Sequence, residues 1–215
     1  MKMKTLMLLT AMALMTASVA KADSNPANDS GSFTVRITPN VDLGVIVDTT
    51  GSVWAGGTGL DVTSNLGTDT LLTTPIGIAM AGNFAKQELT LTGVALNTWT
   101  LNTDAVDAVD TLQLYAMFGV SPVVSGSPIA GNFAGAGNLI KTAATRAGQV
   151  QGDEAGNTNH VYELLTANAE YADVDDMLPT ATRKLWLRST TPSLTTTGGQ
   201  QAFTVTVTAV TGVGL

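Results

Sequence analysis

The sequence predicts an all-β protein: a single β-sandwich of immunoglobulin-like or jelly-roll-like type, with a long irregular middle and one or two short helices. Apolar and polar residues alternate along many short segments, which is the pattern of half-buried strands. Turn-forming residues separate these segments about every 8–12 residues, as in sandwich folds. Strands do not alternate regularly with helices, so the pattern does not favour an α/β fold.

The first 22 residues have the pattern of a cleaved signal peptide. Two lysines form a short basic region, and the apolar run Leu6–Leu14 follows them. A transmembrane helix needs roughly 20 apolar residues, so this run is too short to span a bilayer but fits a signal-peptide core. Small residues allow cleavage after Ala20 or Ala22, and we favour Ala22. We therefore expect a secreted protein, extracellular or on the cell surface, with no transmembrane segment in the mature chain.

The net charge and composition of the mature chain indicate which classes of partner to expect. Removal of residues 1–22 takes away Lys2, Lys4 and Lys21 and leaves 7 basic against 17 acidic residues, a net charge of −10. Nucleic acid binding needs clustered Lys and Arg, so nucleic acid is not expected as a partner. The chain has no Cys, which excludes disulfides and thiolate chemistry. Only 13% of residues are charged, so the surface consists largely of Thr, Ser, Asn and Gly, which suits strands that pack against neighbours.

The chain after the signal peptide divides into a flexible N-terminus, residues 23–31, and a single sandwich domain, residues 32–215. The first segment is polar and rich in residues that break regular structure. Within the domain, residues 121–137 are rich in Gly, Pro, Ser and Ala, which predicts the irregular middle. Residues 139–147 and 160–171 are the candidate helices.

The first strand is predicted directly after the flexible N-terminus. Phe33, Val35 and Ile37 alternate with polar residues until Pro39 ends the segment. The alternation resumes over residues 41–47, so the two segments together predict a hairpin or a bent strand pair.

The remaining strands follow in order along the chain. They share either alternation or a continuous apolar run, and they are predicted at residues 60–63, 71–80 with an interruption at Pro75, 87–92, 97–102, 112–120 and 183–189. The last strand has the clearest pattern, because Phe203, Val205, Val207 and Ala209 alternate with threonines.

The first and last strands are candidates for pairing with another molecule. A strand with a free edge can complete the sheet of a neighbour through main-chain hydrogen bonds. We therefore predict Phe33, Val35, Phe203, Val205 and Val207 as assembly residues. The expected partners are further copies of this chain or other cell-envelope proteins.

Calcium is the only cofactor that the sequence suggests. Asp173, Asp175 and Asp176 form its densest acidic cluster, and calcium prefers several oxygen ligands supplied by a loop. The spacing lacks the glycine and the distal Glu of an EF-hand loop, so solvated acidic turns are the alternative.

Catalytic groups are sparse, and we predict that the chain is not an enzyme. His160 is the only histidine, whereas a His-based metal site normally needs two or three His or Cys ligands. Asp104, Asp107 and Asp110 recur every three residues, but the sequence does not establish the separation across a cleft that a glycosidase pair needs.

The three tryptophans differ in setting. Trp54 lies in the glycine-rich segment 51–59 and is the predicted exposed aromatic, for a ligand or an interface. Trp99 and Trp186 lie within alternating strand segments, which predicts that they pack in the core.

The segment Leu96–Leu101, which contains Trp99-Thr100-Leu101, resembles the Trp-x-Leu motif of WxL-type bacterial surface domains. Residues 200–209 also resemble the closing strand of those domains, and equally the last strand of immunoglobulin-like and pilin-like sandwiches. Trp186-Leu187-Arg188 departs from the second motif, because Arg stands where Leu is expected. The resemblance covers residues 89–102 and 183–210. It implies a secreted, β-rich protein associated with a cell envelope and assigns no role to any residue.

These observations together predict a secreted structural subunit of a bacterial cell-surface layer, fibre or matrix that assembles through edge strands. The alternative is a monomeric secreted adhesin or carbohydrate-binding module, which would use the Trp54 segment and residues 121–137.

Overall fold

The computed structural model describes residues 32–119, 133, 136–148, 162, 174 and 177–212. The chain divides into two compact units, residues 1–39 and 40–215. In the first unit, the described residues 32–39 form no strand and are exposed, so the strand predicted at Phe33–Ile37 is wrong. A strand needs a partner for its backbone groups, and no described residue pairs with this segment.

The second unit contains ten strands among its described residues, and those residues form no α-helix. The strands are β1 (Leu43–Asp48), β2 (Val53–Trp54), β3 (Asp69–Thr74), β4 (Ile76–Gly82), β5 (Gln87–Ala95), β6 (Thr100–Leu101), β7 (Thr111–Gly119), β8 (Thr145–Arg146), β9 (Thr182–Thr190) and β10 (Phe203–Thr211), with a 3-10 turn at Ala136–Asn138. The prediction of an all-β fold is confirmed. Across the described ranges, no helix has both the length and the apolar character that a membrane crossing requires.

The strands form two sheets. In the larger sheet β4 pairs with β1 and β9, and β9 also pairs with β3 and β7. The short strands β2 and β6 are attached to β3 and β7. The smaller sheet has the order β10-β5-β8. All of these pairings are antiparallel except that of β6 with β7, so the fold is sandwich-like.

The main core follows from the alternation in the strands. Side chains at alternate positions of β4, β5, β7 and β9 are buried together, among them Ile78, Leu89, Leu91, Phe118 and Leu185. Each fully buried side chain of this size contributes roughly 1.5–3 kcal/mol. A smaller cluster lies on the opposite face of β7 and β9, where Tyr115, Met117, Phe133, Leu139 and Trp186 pack. β7 and β9 are therefore buried on both faces.

Most predicted strands are present, with shifted ends. Pro75 separates β3 from β4, as its missing N–H requires. The segment 97–102 keeps only the two residues of β6, and residues 60–63 contribute only an isolated bridge at Asp61.

The helix predicted at residues 139–147 is wrong. The Ile140 N–H donates to the Leu114 carbonyl at 2.8 Å, and β8 pairs with β5. The backbone of this segment thus forms hydrogen bonds with strands of both sheets instead of helical ones. Apart from Tyr162, the second helix candidate lies outside the described residues, and so does most of the irregular middle.

Candidate functional site

The last strand, β10, forms one border of the smaller sheet, where it pairs with β5 over nine residues. Its apolar side chains, Phe203, Val205, Val207 and Ala209, pack against the core but stay half-buried. The three intervening threonines are exposed on the other face. No described strand pairs with the opposite border of β10, which is called the open border below.

The register of the pairing between β10 and β5 identifies which backbone groups of β10 do not bond to β5. The Leu96 N–H donates to the Ala202 carbonyl at 2.9 Å, and the Gly212 N–H donates to the Lys86 carbonyl at 2.7 Å. Because hydrogen-bonded and free residues alternate along an antiparallel ladder, the even-numbered residues of β10 bond to β5. The N–H and C=O groups of Phe203, Val205, Val207 and Ala209 therefore point outward.

Apart from the border formed by β1, the other sheet borders in the described chain are protected. The outer border of β7 is covered, since Asn138 Nδ2 donates to the Ala116 carbonyl at 3.0 Å and the Phe118 N–H to the Tyr162 carbonyl at 2.7 Å. The strands β2, β6 and β8 have only two residues each. These are the usual ways in which proteins prevent edge pairing. β10, by contrast, is long and has no charge, no proline and no register shift.

The strand β1 is the border of the larger sheet and lies beside β10. Its residues Val45 and Val47 pair with the buried Met80 and Ile78, so their side chains share the inner face. Val47 is nevertheless 45% exposed, and Val45 is half-buried. The core is thus incompletely covered where β1 and β10 meet. In contrast to β10, β1 has six residues and ends in a charge, Asp48.

The other predicted assembly residues, Phe33 and Val35, belong to the first unit. Phe33 is 88% exposed and Val35 is 65% exposed, and Ile37, two residues further, is 83% exposed. Three large apolar side chains at alternate positions are therefore presented to solvent by one short segment.

The predicted exposure of Trp54 is wrong. Trp54 is only 6% exposed and belongs to the main core. The reason is its pairing, since β2 aligns Trp54 with the fully buried Leu72 and cross-strand partners share a face. The glycine-rich segment still forms a turn around it, in which the Gly57 N–H donates to the Trp54 carbonyl at 3.1 Å.

The candidate calcium ligands Asp173, Asp175 and Asp176 lie outside the described residues, as does His160. Within the described ranges, no group of three or more His, Asp or Glu residues is arranged to hold a metal ion.

The loop that carries Asp104, Asp107 and Asp110 is hydrogen-bonded to a second loop, which contains Ser193 and Thr195. Asp107 Oδ1 accepts a hydrogen bond from the Ser193 N–H at 3.1 Å, and Asp110 Oδ1 accepts one from the Thr195 hydroxyl at 2.7 Å. Hydrogen bonds from the side chain and the backbone of Ser193 lower the pKa of Asp107 below the ordinary value for Asp. Those from Thr195 and Thr196 lower the pKa of Asp110 in the same way. Asp104 Oδ1 also accepts a hydrogen bond, from the Val106 N–H at 3.1 Å, so all three carboxylates act as structural acceptors.

A shallow depression of about 240 Å³ lies on the same loop. It is lined by Leu101, Asn102, Thr103, Asp104, Val106, Ala108 and Thr111. Among the described residues that line it, none is aromatic.

The other two tryptophans pack as predicted. Trp186 is 4% exposed, and Trp99 is half-buried against the main core. The Trp99 indole N–H donates to the Thr195 hydroxyl at 2.9 Å, and the Trp99 backbone N–H donates to Gln201 Oε1 at 2.9 Å. The residues that carry the resemblance to Trp-x-Leu domains therefore join β6 to the loop before β10.

The sequence analysis did not predict a role for Ala209 of β10, for Val45 and Val47 of the neighbouring β1, or for Ile37 of the first unit. Ala209 and Ile37 continue alternations that were already visible, so their neighbours were a sufficient signal. No sequence signal places β1 beside β10, because that contact joins strands more than 150 residues apart.

No protein-family model matches this chain, and no curated protein matches it. Because a fold by itself does not define a function, the geometry of the β10 border is the basis for inferring one.

Proposed function

We propose that this chain is a secreted structural subunit of a bacterial cell-surface layer, fibre or matrix, and that it assembles through the open border of β10. The observation that carries the proposal is this border: nine residues without charge or proline, with outward-pointing backbone groups. Long, unprotected borders of this kind pair with a strand from another chain. The proposal includes no enzymatic activity.

The energetics of the border support the proposal. Phe203, Val205 and Val207 are only half-buried in the monomer, and an added strand would cover them further. Completing the burial of one such side chain contributes part of the roughly 1.5–3 kcal/mol that full burial is worth. The outward-pointing N–H and C=O groups would exchange water for main-chain partners at the same time.

Composition and export support the same function. Only 13% of the residues are charged, and the outer face of β10 presents threonines. The mature chain has a net charge of −10, but β10 itself carries no charge, so a contact along it brings no like charges of β10 together. Export would follow from the signal peptide predicted at residues 1–22.

The test compares residues 23–215 as the wild type, as Val207→Pro and as Val207→Ala. The Val207 N–H points outward, so proline there blocks an added strand but leaves the bonds to β5 intact. Alanine shortens the same side chain and keeps the N–H. Sedimentation velocity and electron microscopy over a concentration series should show assemblies for the wild type and Val207→Ala, and monomers for Val207→Pro. A wild type that stays monomeric at millimolar concentration would exclude this function.

The alternative function, an adhesin or carbohydrate-binding module, is not proposed. It would use the Trp54 segment and residues 121–137. Trp54 is buried, and most of residues 121–137 lie outside the described residues, so no observation favours it.

A further inference from the structure

We infer that the strand added to β10 is the segment 32–38 of a second copy, so that the subunits join head to tail. This inference rests on the proposed function and specifies its contact. The segment 32–38 supplies the added strand, and β10 of the next copy receives it.

The segment 32–38 has the alternating apolar pattern of a strand but forms no strand in the described structure. Phe33, Val35 and Ile37 are 88%, 65% and 83% exposed, and they recur at every second residue. In an extended backbone such positions lie on one face, so the three side chains would form a continuous apolar stripe. Single exposed apolar residues are ordinary, whereas contiguous exposed apolar surface marks an interaction site.

The two faces of the segment match the two faces of β10. With Phe33, Val35 and Ile37 turned inward, they would lie beside the half-buried apolar side chains of β10. Thr34, Arg36 and Thr38 would then continue the exposed threonine face. Cross-strand threonine and β-branched pairs stabilise a sheet. Pro39 directly after the segment limits the added strand to about seven residues, since proline has no N–H for the ladder.

The main competing occupant is β10 of another copy. Such a β10–β10 contact is isologous, so it closes at a dimer, and it would leave the stripe of the segment exposed. A head-to-tail contact uses two different surfaces and does not close unless the rotation between subunits allows it. Only the head-to-tail contact covers both apolar surfaces and also builds a fibre or layer.

The first experiment compares two triple variants of residues 23–215. Phe33→Ser/Val35→Ser/Ile37→Ser removes the apolar face of the segment, and the matched control Thr34→Ser/Arg36→Ser/Thr38→Ser changes the opposite face. We expect the first variant to raise the concentration needed for assembly by about 100-fold or more, because three buried side chains are lost. The control should shift that concentration by less than about tenfold. Equal assembly by the first variant and the wild type would refute the inference and leave the proposed function standing.

The second experiment mixes two variants that each lack one surface. Phe33→Ser/Val35→Ser/Ile37→Ser keeps β10, and Val207→Pro keeps the segment. Each should be monomeric alone, and the mixture should form discrete 1:1 dimers in sedimentation velocity. Dimers of the first variant alone would identify a β10–β10 contact and overturn the inference, and so would a mixture without dimers. A monomeric wild type would instead overturn the proposed function and the inference together.

A cross-linking measurement covers the case in which Val207→Pro does not fold. The chain contains no Cys, so Arg36→Cys and Thr206→Cys can be introduced in separate copies and treated with a short bismaleimide. A cross-linked dimer in the mixture, absent when Arg36→Cys is treated alone, supports the head-to-tail contact. A mixture with no more cross-linking than either copy alone contradicts it.

Discussion

The side-chain amide of Gln87 donates a hydrogen bond of 2.9 Å from Nε2 to the carbonyl oxygen of Ala81. Gln87 begins β5 and Ala81 lies in β4, so the bond joins the two sheets. Gln87 Oε1 also accepts a hydrogen bond from the Gly44 N–H at 3.3 Å, and its backbone pairs with Met177. This fully buried residue thus fastens β1 and β4 to the smaller sheet near the open border.

Replacement of Gln87 by methionine should destabilise the protein by about 2–4 kcal/mol, because Ala81 C=O and Gly44 N–H would each lose a buried partner. The side chain keeps a similar length, so packing changes little. Urea unfolding measures the difference in free energy of unfolding. Gln200→Met, at an exposed position, is the matched control and should change stability by less than about 0.5 kcal/mol. Equal stability of the two variants would show that the amide does not join the sheets.

Trp54→Ala should lower the free energy of unfolding by about 3–5 kcal/mol, the usual cost of removing a buried aromatic side chain. The reason is the position of Trp54 in the core opposite Leu72. Leu60→Ala in the same glycine-rich region is the control, since Leu60 is 46% exposed and should cost below about 1 kcal/mol. Thermal and urea unfolding check both variants. A loss below about 1 kcal/mol for Trp54→Ala would contradict the burial.

Gly82→Ala should destabilise the protein by about 2–4 kcal/mol. Gly82 has a φ of +85°, and an added Cβ would lie 2.3 Å from the Asp42 carbonyl oxygen. Gly51→Ala is the matched control, because Gly51 has a φ of +78° with no atom within 4 Å of the added Cβ. It should cost only the conformational strain of about 1–2 kcal/mol. Chemical denaturation of both variants tests whether the steric conflict at Gly82 adds to that strain.

The carboxyl group of Asp110 predicts a pH dependence of stability. The hydrogen bonds from Thr195 and Thr196 hold the pKa of this carboxyl group below the ordinary value for Asp in the folded chain. A group whose pKa is lowered by folding stabilises the protein above its unfolded pKa, and this stabilisation disappears as the pH falls through its folded pKa. Asp110→Asn should therefore have a lower Tm than the wild type at pH 7, and the difference should shrink towards pH 2. Asp61→Asn, at an exposed position, is the control. A difference that stayed constant from pH 7 to pH 2 would contradict the role of the carboxylate.

The local pattern of apolar and polar residues was sufficient to predict the positions of most strands. β5, β7, β9 and β10 lie where alternation or a continuous apolar run predicts them, because these segments bury their apolar face whatever their partner is. Two predictions failed where a tertiary partner decides the outcome. Residues 139–147 form hydrogen bonds with strands of the two sheets and do not form a helix. Phe33–Ile37 has the pattern of a strand but no partner strand in the described chain.

The candidate site was predictable only in part. The apolar residues of β10 follow from its alternation. The sequence does not show that one border of β10 lacks a partner among the described strands, because that depends on which strands pair. The exposure of Trp54 could not be inferred for the same reason: a glycine-rich neighbourhood indicates a turn, whereas the pairing of β2 with Leu72 decides the burial.

The sequence by itself determined that this chain folds as strands and which side chains of each strand are apolar, because the alternation of side chains along an extended backbone is a local property. Only the tertiary structure decided which borders are covered, that β10 lies beside β1 and that Gln87 joins the sheets. Those features depend on contacts between residues far apart in the chain, and hydrogen bonding between strands leaves no periodic trace in the sequence.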